Sequence, residues 1–236
     1  IYFQDNNANS IVDSGDKVYL VFGLRRGGSS TIYSSAYYAL DITDINHPQF
    51  LWKIVGGKGV SGAGKLCTGT SACTATSQFD ELGQTWSTPA IGRVAAYANP
   101  VVIFGGGYDT NQDMGFPTSA DTMGRGLFVV DLVTGTPRYV FMNGSGKMLA
   151  SGGSSTVSGM DFSMPTEVVA LNTNLDSLGY LDRVYMGDTG GNLWRFDISD
   201  VSTDNWTAKK LAVLSGTAFT GTMPDGHTPS VSSKRK

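Results

Sequence analysis

Charge is scarce in this chain, and so are the side chains that most often do chemistry. Of 236 residues only 16% are charged, the formal net charge is -3, and there are two histidines and two cysteines. A nucleic-acid surface wants a basic stripe, and the basic clusters here are Arg25-Arg26 and the terminal Lys234-Arg235-Lys236. His47 and His227 lie in separate turns far apart in sequence, which leaves no nucleophile with an adjacent histidine base and no zinc cluster. No apolar run approaches the roughly 18 residues that span a bilayer. No signal peptide opens the chain, so an exported form is expected to be a mature or excised piece.

The cysteines, Cys67 and Cys73, stand in CTGTSAC inside a Gly/Ser/Thr/Ala-rich stretch. Their spacing suits a small disulfide-closed loop and an oxidising compartment, with two free thiols as the alternative. The stretch from Gly56 to about Gln78 has few large apolar residues and is read as a surface excursion.

Glycine is abundant, at 31 residues, and falls between short apolar runs rich in Val, Ile, Tyr and Phe, the signature of hairpin strands. DRVYMGDTGGNLWRFD, Asp182 to Asp197, has two looser copies: Asp16 to Gly28 with Ala36 to Asp41, and Val101 to Asp109 with Gly126 to Asp131. In each, one apolar run enters a glycine turn and a second leaves it to end on aspartate. Ser87-Thr88-Pro89 is echoed by Ser163-Met164-Pro165 and His227-Thr228-Pro229, and a proline is tolerated where a strand begins. Outer strands are expected at Arg138 to Met142 and Lys209 to Leu214. Four antiparallel strands per repeat is the plan of a β-propeller blade. The expected organisation is a single, partial, all-β propeller domain over 1–236. Its blades cover about 1–78, 84–145 and 162–216, and a further one begins at 227–236. A propeller usually closes with about four or more blades, so the chain is expected to be part of a larger ring.

Two oxygen-rich loops are candidate calcium sites. With Asp5 in the first place of a twelve-residue calcium loop, Asn7, Asn9, the Ile11 carbonyl, Asp13 and Asp16 fall at the third, fifth, seventh, ninth and twelfth. Ser10 replaces the usual glycine, and Asp16 the usual Glu. A turn held by side chain to backbone bonds is the alternative. In the second loop Asn174, Asp176, the Tyr180 carbonyl and Asp182 take the first, third, seventh and ninth places, with Gly179 at the glycine position and Leu178 where an oxygen is wanted. A plain turn is the stronger reading there. Asp109 to Asp113 also alternates oxygens but lacks the glycine turn.

Taken together, YLVFGLRRGG, YYALDITD, LGQTWSTPAIG, VVIFGGGYD and DRVYMGDTGGNLWRFD resemble, in this order, the C-terminal propeller of the type IV pilus biogenesis and tip-associated family called PilY or PilC. The resemblance covers most of the chain. It implies a modified quinoprotein-like propeller, exported to the cell surface or pilus tip, and minor pilins or the pilus tip as partners. It also implies roles in pilus extension, twitching motility and adhesion to a host or abiotic surface. Calcium held by Asp5, Asn7, Asn9, Ile11 and Asp13, and by Asn174, Asp176, Tyr180 and Asp182, is what the family pattern would place here. It implies no enzyme. Two alternatives stand beside it. One is a quinoprotein-type dehydrogenase using tryptophans such as Trp52, Trp86, Trp194 and Trp206, although Trp52 and Trp194 read first as packing between blades. The other is a calcium-independent structural or carbohydrate-binding propeller.

Overall fold

The computed structural model describes residues 1–27, 35–57, 63–69, 73–114, 120–143, 153–175 and 178–214. The strands form three sheets in chain order. The first holds β1 (Tyr2–Gln4), β2 (Lys17–Gly23), β3 (Ala36–Asp41), β4 (Gln49–Val55), β5 (Lys65–Thr68) and β6 (Thr74–Ala75), each antiparallel to the next. The second holds β7 (Ala90–Gly92), β8 (Val101–Gly105), β9 (Gly126–Asp131) and β10 (Pro137–Asn143), with β11 (Gly153–Val157) added parallel to β10. The third is the antiparallel set β12 (Val169–Leu171), β13 (Arg183–Gly187), β14 (Asn192–Asp197) and β15 (Thr207–Val213). Three such sheets in a row are the blades of a β-propeller.

Burial explains the sequence pattern. β13 and β14 alternate buried and half-buried residues, as strands with one covered face do. β8 and β9 are buried at every position, because the second sheet lies between the other two. Its Val102, Phe104, Phe128, Val130 and Val140 pack with Tyr37, Ala39, Trp52 and Ile54 of the first sheet. Its Val101, Ile103, Leu127, Val129 and Phe141 pack with Val184, Met186, Trp194 and Phe196 of the third. Successive residues of one strand thus serve two different cores, and no polar side can be spared.

Two expectations need correction. The stretch read as a surface excursion contributes β5 and β6 to the first sheet, and Phe79 and Leu82 beyond it are fully buried. Small and polar residues suffice there because β6 is exposed at both positions and β5 buries only Cys67. The second sheet also runs past residue 145, through β11. The expected opening of a further blade at 227–236 lies outside the described residues.

The recurrent elements have structural work. Ser87 is buried and its Oγ accepts the N–H of Gly105 at 3.0 Å, tying the start of β7 to the end of β8. Asp41 accepts the N–H and hydroxyl of Thr43, and Asp131 the N–H groups of Val133 and Thr134. In both, the aspartate closing the third strand of a blade caps the following turn. Asp197 closes β14 and instead pairs with Arg183 and Arg195.

Candidate metal-binding site

The hairpin turns that join the first two strands of each blade share one end of the sheets: residues 5–16 between β1 and β2, 93–100 between β7 and β8, and 172–182 between β12 and β13. In the first, the side chains of Asp5, Asn7, Asn9 and Asp13 join in one hydrogen-bonded turn. Asp5 accepts the backbone N–H of Ser10 at 2.7 Å, and those of Asn7 and Asn9 at 3.2 and 3.3 Å. The Ser10 N–H holds the Asp5 carboxyl below its ordinary value against an opposing effect of burial, helped by the amides of Ala8, Asn9 and Asn7. Asp13, across the loop, receives the side-chain NH2 of Asn7 at 2.9 Å and of Asn9 at 2.6 Å. The side-chain oxygens of Asn7 and Asn9 accept the N–H groups of Asn9 and Ile11.

The curl that permits this comes from two left-handed residues, Ala8 at φ 59° and Ser10 at φ 62°. Ser10 stands where calcium loops use glycine, and it adopts the backbone glycine would supply. Asp16 is buried, and its carboxylate accepts the N–H of Asn6 at 2.8 Å and of Asp13 at 3.1 Å. It fastens the two ends of the loop.

The donor set expected from the spacing is all oxygen: two carboxylates, two amides and the Ile11 carbonyl. Such a set fits Ca²⁺, a hard ion, better than zinc or copper. Among the described residues no three acidic, histidine or cysteine side chains gather into a metal-ligand group, so amide oxygens would have to carry part of the coordination. For Asn7 and Asn9 that means rotating the amides so that oxygen, not NH2, faces Asp13.

The second loop is built differently. Asp182 is 3% exposed. Its carboxylate accepts the N–H and hydroxyl of Thr173 and the N–H of Asn174, at 2.8 to 3.0 Å. Burial raises the Asp182 carboxyl, but the Thr173 and Asn174 bonds and Arg183 outweigh it and hold it below its ordinary value. Strand register places Asp182 opposite expectation: Gln4 pairs with Lys17 and Leu171 with Arg183, so Asp182 corresponds to the fastening residue Asp16. Leu178 is exposed, the Tyr180 ring carries the guanidinium of Arg93 at 5.2 Å, and Asp176 lies outside the described residues. Asp109, at the far end of β8, is 1% exposed and bound by Asn111, Thr122 and Met123.

Cys67 and Cys73 form a disulfide closing the β5–β6 hairpin. Trp52, Trp194 and Trp206 are each at most 3% exposed, within the cores between sheets. No helix among the described residues is long and apolar enough to cross a membrane.

The family model for the PilY1 beta-propeller domain matches residues 7–233. Among solved structures, the C-terminal domain of Pseudomonas aeruginosa PilY1 is similar, at 22% identity over 78% of this chain and a TM-score of 0.49. The chain spans 27% of the length of that protein's solved chain. No curated protein matches.

Proposed function

This chain belongs to the PilY1 β-propeller family, and from that premise we propose that it is the calcium-responsive propeller module of a type IV pilus biogenesis or tip protein. In this reading the protein acts at the cell surface, reached through the periplasm, with minor pilins or the pilus tip as partners. It supports pilus extension, twitching motility and adhesion to host or abiotic surfaces. It binds and signals; it does not catalyse.

The observation that carries the calcium part is the convergence of Asp5, Asn7, Asn9 and Asp13 around one curled turn. A bound cation would replace the amide NH2 groups as the positive partner of Asp13 and would lock the turn in a single arrangement. Because Asp16 joins that turn to β2, locking it would stiffen the edge of the first sheet.

Calorimetric titration of chelator-treated protein with Ca²⁺ tests the metal, with Mg²⁺ as control because it demands tighter octahedral geometry and keeps its waters. Saturable Ca²⁺ binding without matching Mg²⁺ binding supports the reading; a folded sample that binds neither defeats it. The pilus role is tested separately, by placing Asp13→Ala in the whole protein in its host and scoring piliation and twitching. Normal twitching with the metal site abolished would separate the propeller's pilus role from calcium.

A further inference from the structure

Three of the four tryptophans are core residues, whereas Trp86 is 36% exposed. It lies just before Ser87 on the turn leading into β7, and it is held firmly for a surface side chain. Its indole N–H donates to the Oε1 of Gln84 at 3.0 Å, and Gln84 is itself 1% exposed. Tyr108 meets its edge with ring centroids 6.4 Å apart. The Arg25 guanidinium lies 4.9 Å from its ring centre. With the N–H already used and the Arg25 guanidinium over the ring, a ligand would stack on the side of the indole that Arg25 leaves open.

Two features of Arg25 bear on a ligand. Arg26, Arg125, Arg138, Arg183 and Arg195 each reach a carboxylate, whereas Arg25 lies on an aromatic ring, as Arg93 does on Tyr180, and forms no ion pair among the described residues. Its backbone is also left-handed, at φ 53°, beside a bridge to Thr85. Residues other than glycine rarely adopt that conformation, and those that do concentrate at binding and switch sites. Next to this pair are polar groups already ordered: the Tyr108 hydroxyl donates to Asp113 at 3.0 Å, and Arg26 pairs with the same carboxylate.

We propose that Trp86 and Arg25 form a saccharide subsite for sugars that carry a carboxylate, of the uronic acid class. A fixed, exposed indole stacks against the C–H face of a pyranose ring, burying apolar area without needing a cavity. An unpaired guanidinium offers a fork matched to a carboxylate. The rim of Tyr108, Asp113 and Arg26 suits a ligand rich in hydroxyls; an aromatic peptide side chain would want an apolar pocket there. The subsite is independent of calcium: Arg25 follows β2 whereas the 5–16 loop precedes it, and a seven-residue strand sets them roughly 23 Å apart.

The test is calorimetric titration of the 236-residue chain with trigalacturonate and with the neutral galactotriose, in chelator so that calcium does not bridge uronates. Trigalacturonate is expected to bind saturably and about tenfold more tightly than the neutral trimer. Trp86→Ala should abolish binding of both. Arg25→Gln should leave the neutral trimer's affinity unchanged and erase the acidic preference. Thermal melting of each variant serves as the folding control, and Arg25→Gln keeps the idea testable if Trp86→Ala unfolds. Three outcomes would overturn the proposal: no saturable binding by folded protein, equal affinity for both trimers, or wild-type affinity in Trp86→Ala.

Discussion

The indole N–H of Trp52, on β4 of the first sheet, donates at 2.8 Å to the backbone carbonyl of Leu132, which immediately follows β9 of the second. Both residues are fully buried. The turn that carries Leu132 is shaped to the indole: Gly135 sits at φ 69°, and a Cβ there would lie 2.7 Å from Trp52 Cγ. One side chain therefore satisfies a buried carbonyl, fills the space between two blades and sets how closely the β9–β10 turn approaches.

Trp52→Phe should for this reason cost more than lost volume. It leaves the Leu132 carbonyl without its donor and opens a gap beneath Gly135. Together these are expected to lower stability by about 2–4 kcal/mol, read as a fall in the urea midpoint. Gly135→Ala should destabilise by the same route from the opposite side. A midpoint unchanged in both variants would show that this clasp does not hold the blades together.

Acid should loosen the blade ends. Burial raises the Asp131 carboxyl, but the hydrogen bonds of Arg138, Asn99 and Thr134 outweigh it and leave it below its ordinary 3.8; Asp182 is lowered likewise. A carboxyl lowered by folding adds stability that is fully present above its unfolded value and is lost as pH falls through the folded one. The stability of the wild type should thus fall as pH drops below 3.8, and Asp182→Asn should be weaker at neutral pH but lose less on acidification. Equal acid sensitivity in the two proteins, by urea titration at pH 7 and pH 3, would remove Asp182 from the explanation.

How much of this could be read beforehand depended on whether a residue's role is local. The strands around Tyr19, Tyr37 and Trp194 were legible because one covered face imposes alternation. The role of Asp41 and Asp131 was half legible: their recurrence was visible, but capping appeared only with the turns in place. β5, β6 and β11 were hidden because KLCT, TA and GSSTV are short and carry no hydrophobic period. The candidate loops were legible as oxygen spacing. Their correspondence was not, since the loops differ by one residue and only strand pairing matches Asp182 with Asp16. The exposure of Trp86 was not legible: nothing in its neighbours distinguishes it from the buried tryptophans.

The disulfide closes a short span, Cys67 to Cys73, at the edge of the first sheet. Chain entropy assigns such a loop about 2 kcal/mol. Since β5 pairs with β4, which carries Trp52, Cys73→Ser should weaken the blade and not merely fray its hairpin. The expected result is a lower thermal midpoint, reproduced by treating wild type with reductant and absent when the variant is so treated. A midpoint indifferent to both mutation and reductant would confine the bond's effect to the hairpin itself.

Asp13 and Asp182 should separate a metal ligand from a turn fastener. Asp13 faces the side chains of Asn7 and Asn9 across the loop, whereas Asp182 is buried and saturated by Thr173 and Asn174. If Ca²⁺ binds the first loop, a hundredfold excess over its dissociation constant stabilises the folded state by about 2.7 kcal/mol. Asp13→Ala should then melt close to wild type in chelator but gain nothing from calcium. Asp182→Asn should melt lower in chelator and keep the full calcium-dependent rise. If instead calcium still raised the melting temperature of Asp13→Ala as much as that of wild type, the ion would have to bind elsewhere, and the curl of Ala8 and Ser10 would be no more than a hydrogen-bonded turn.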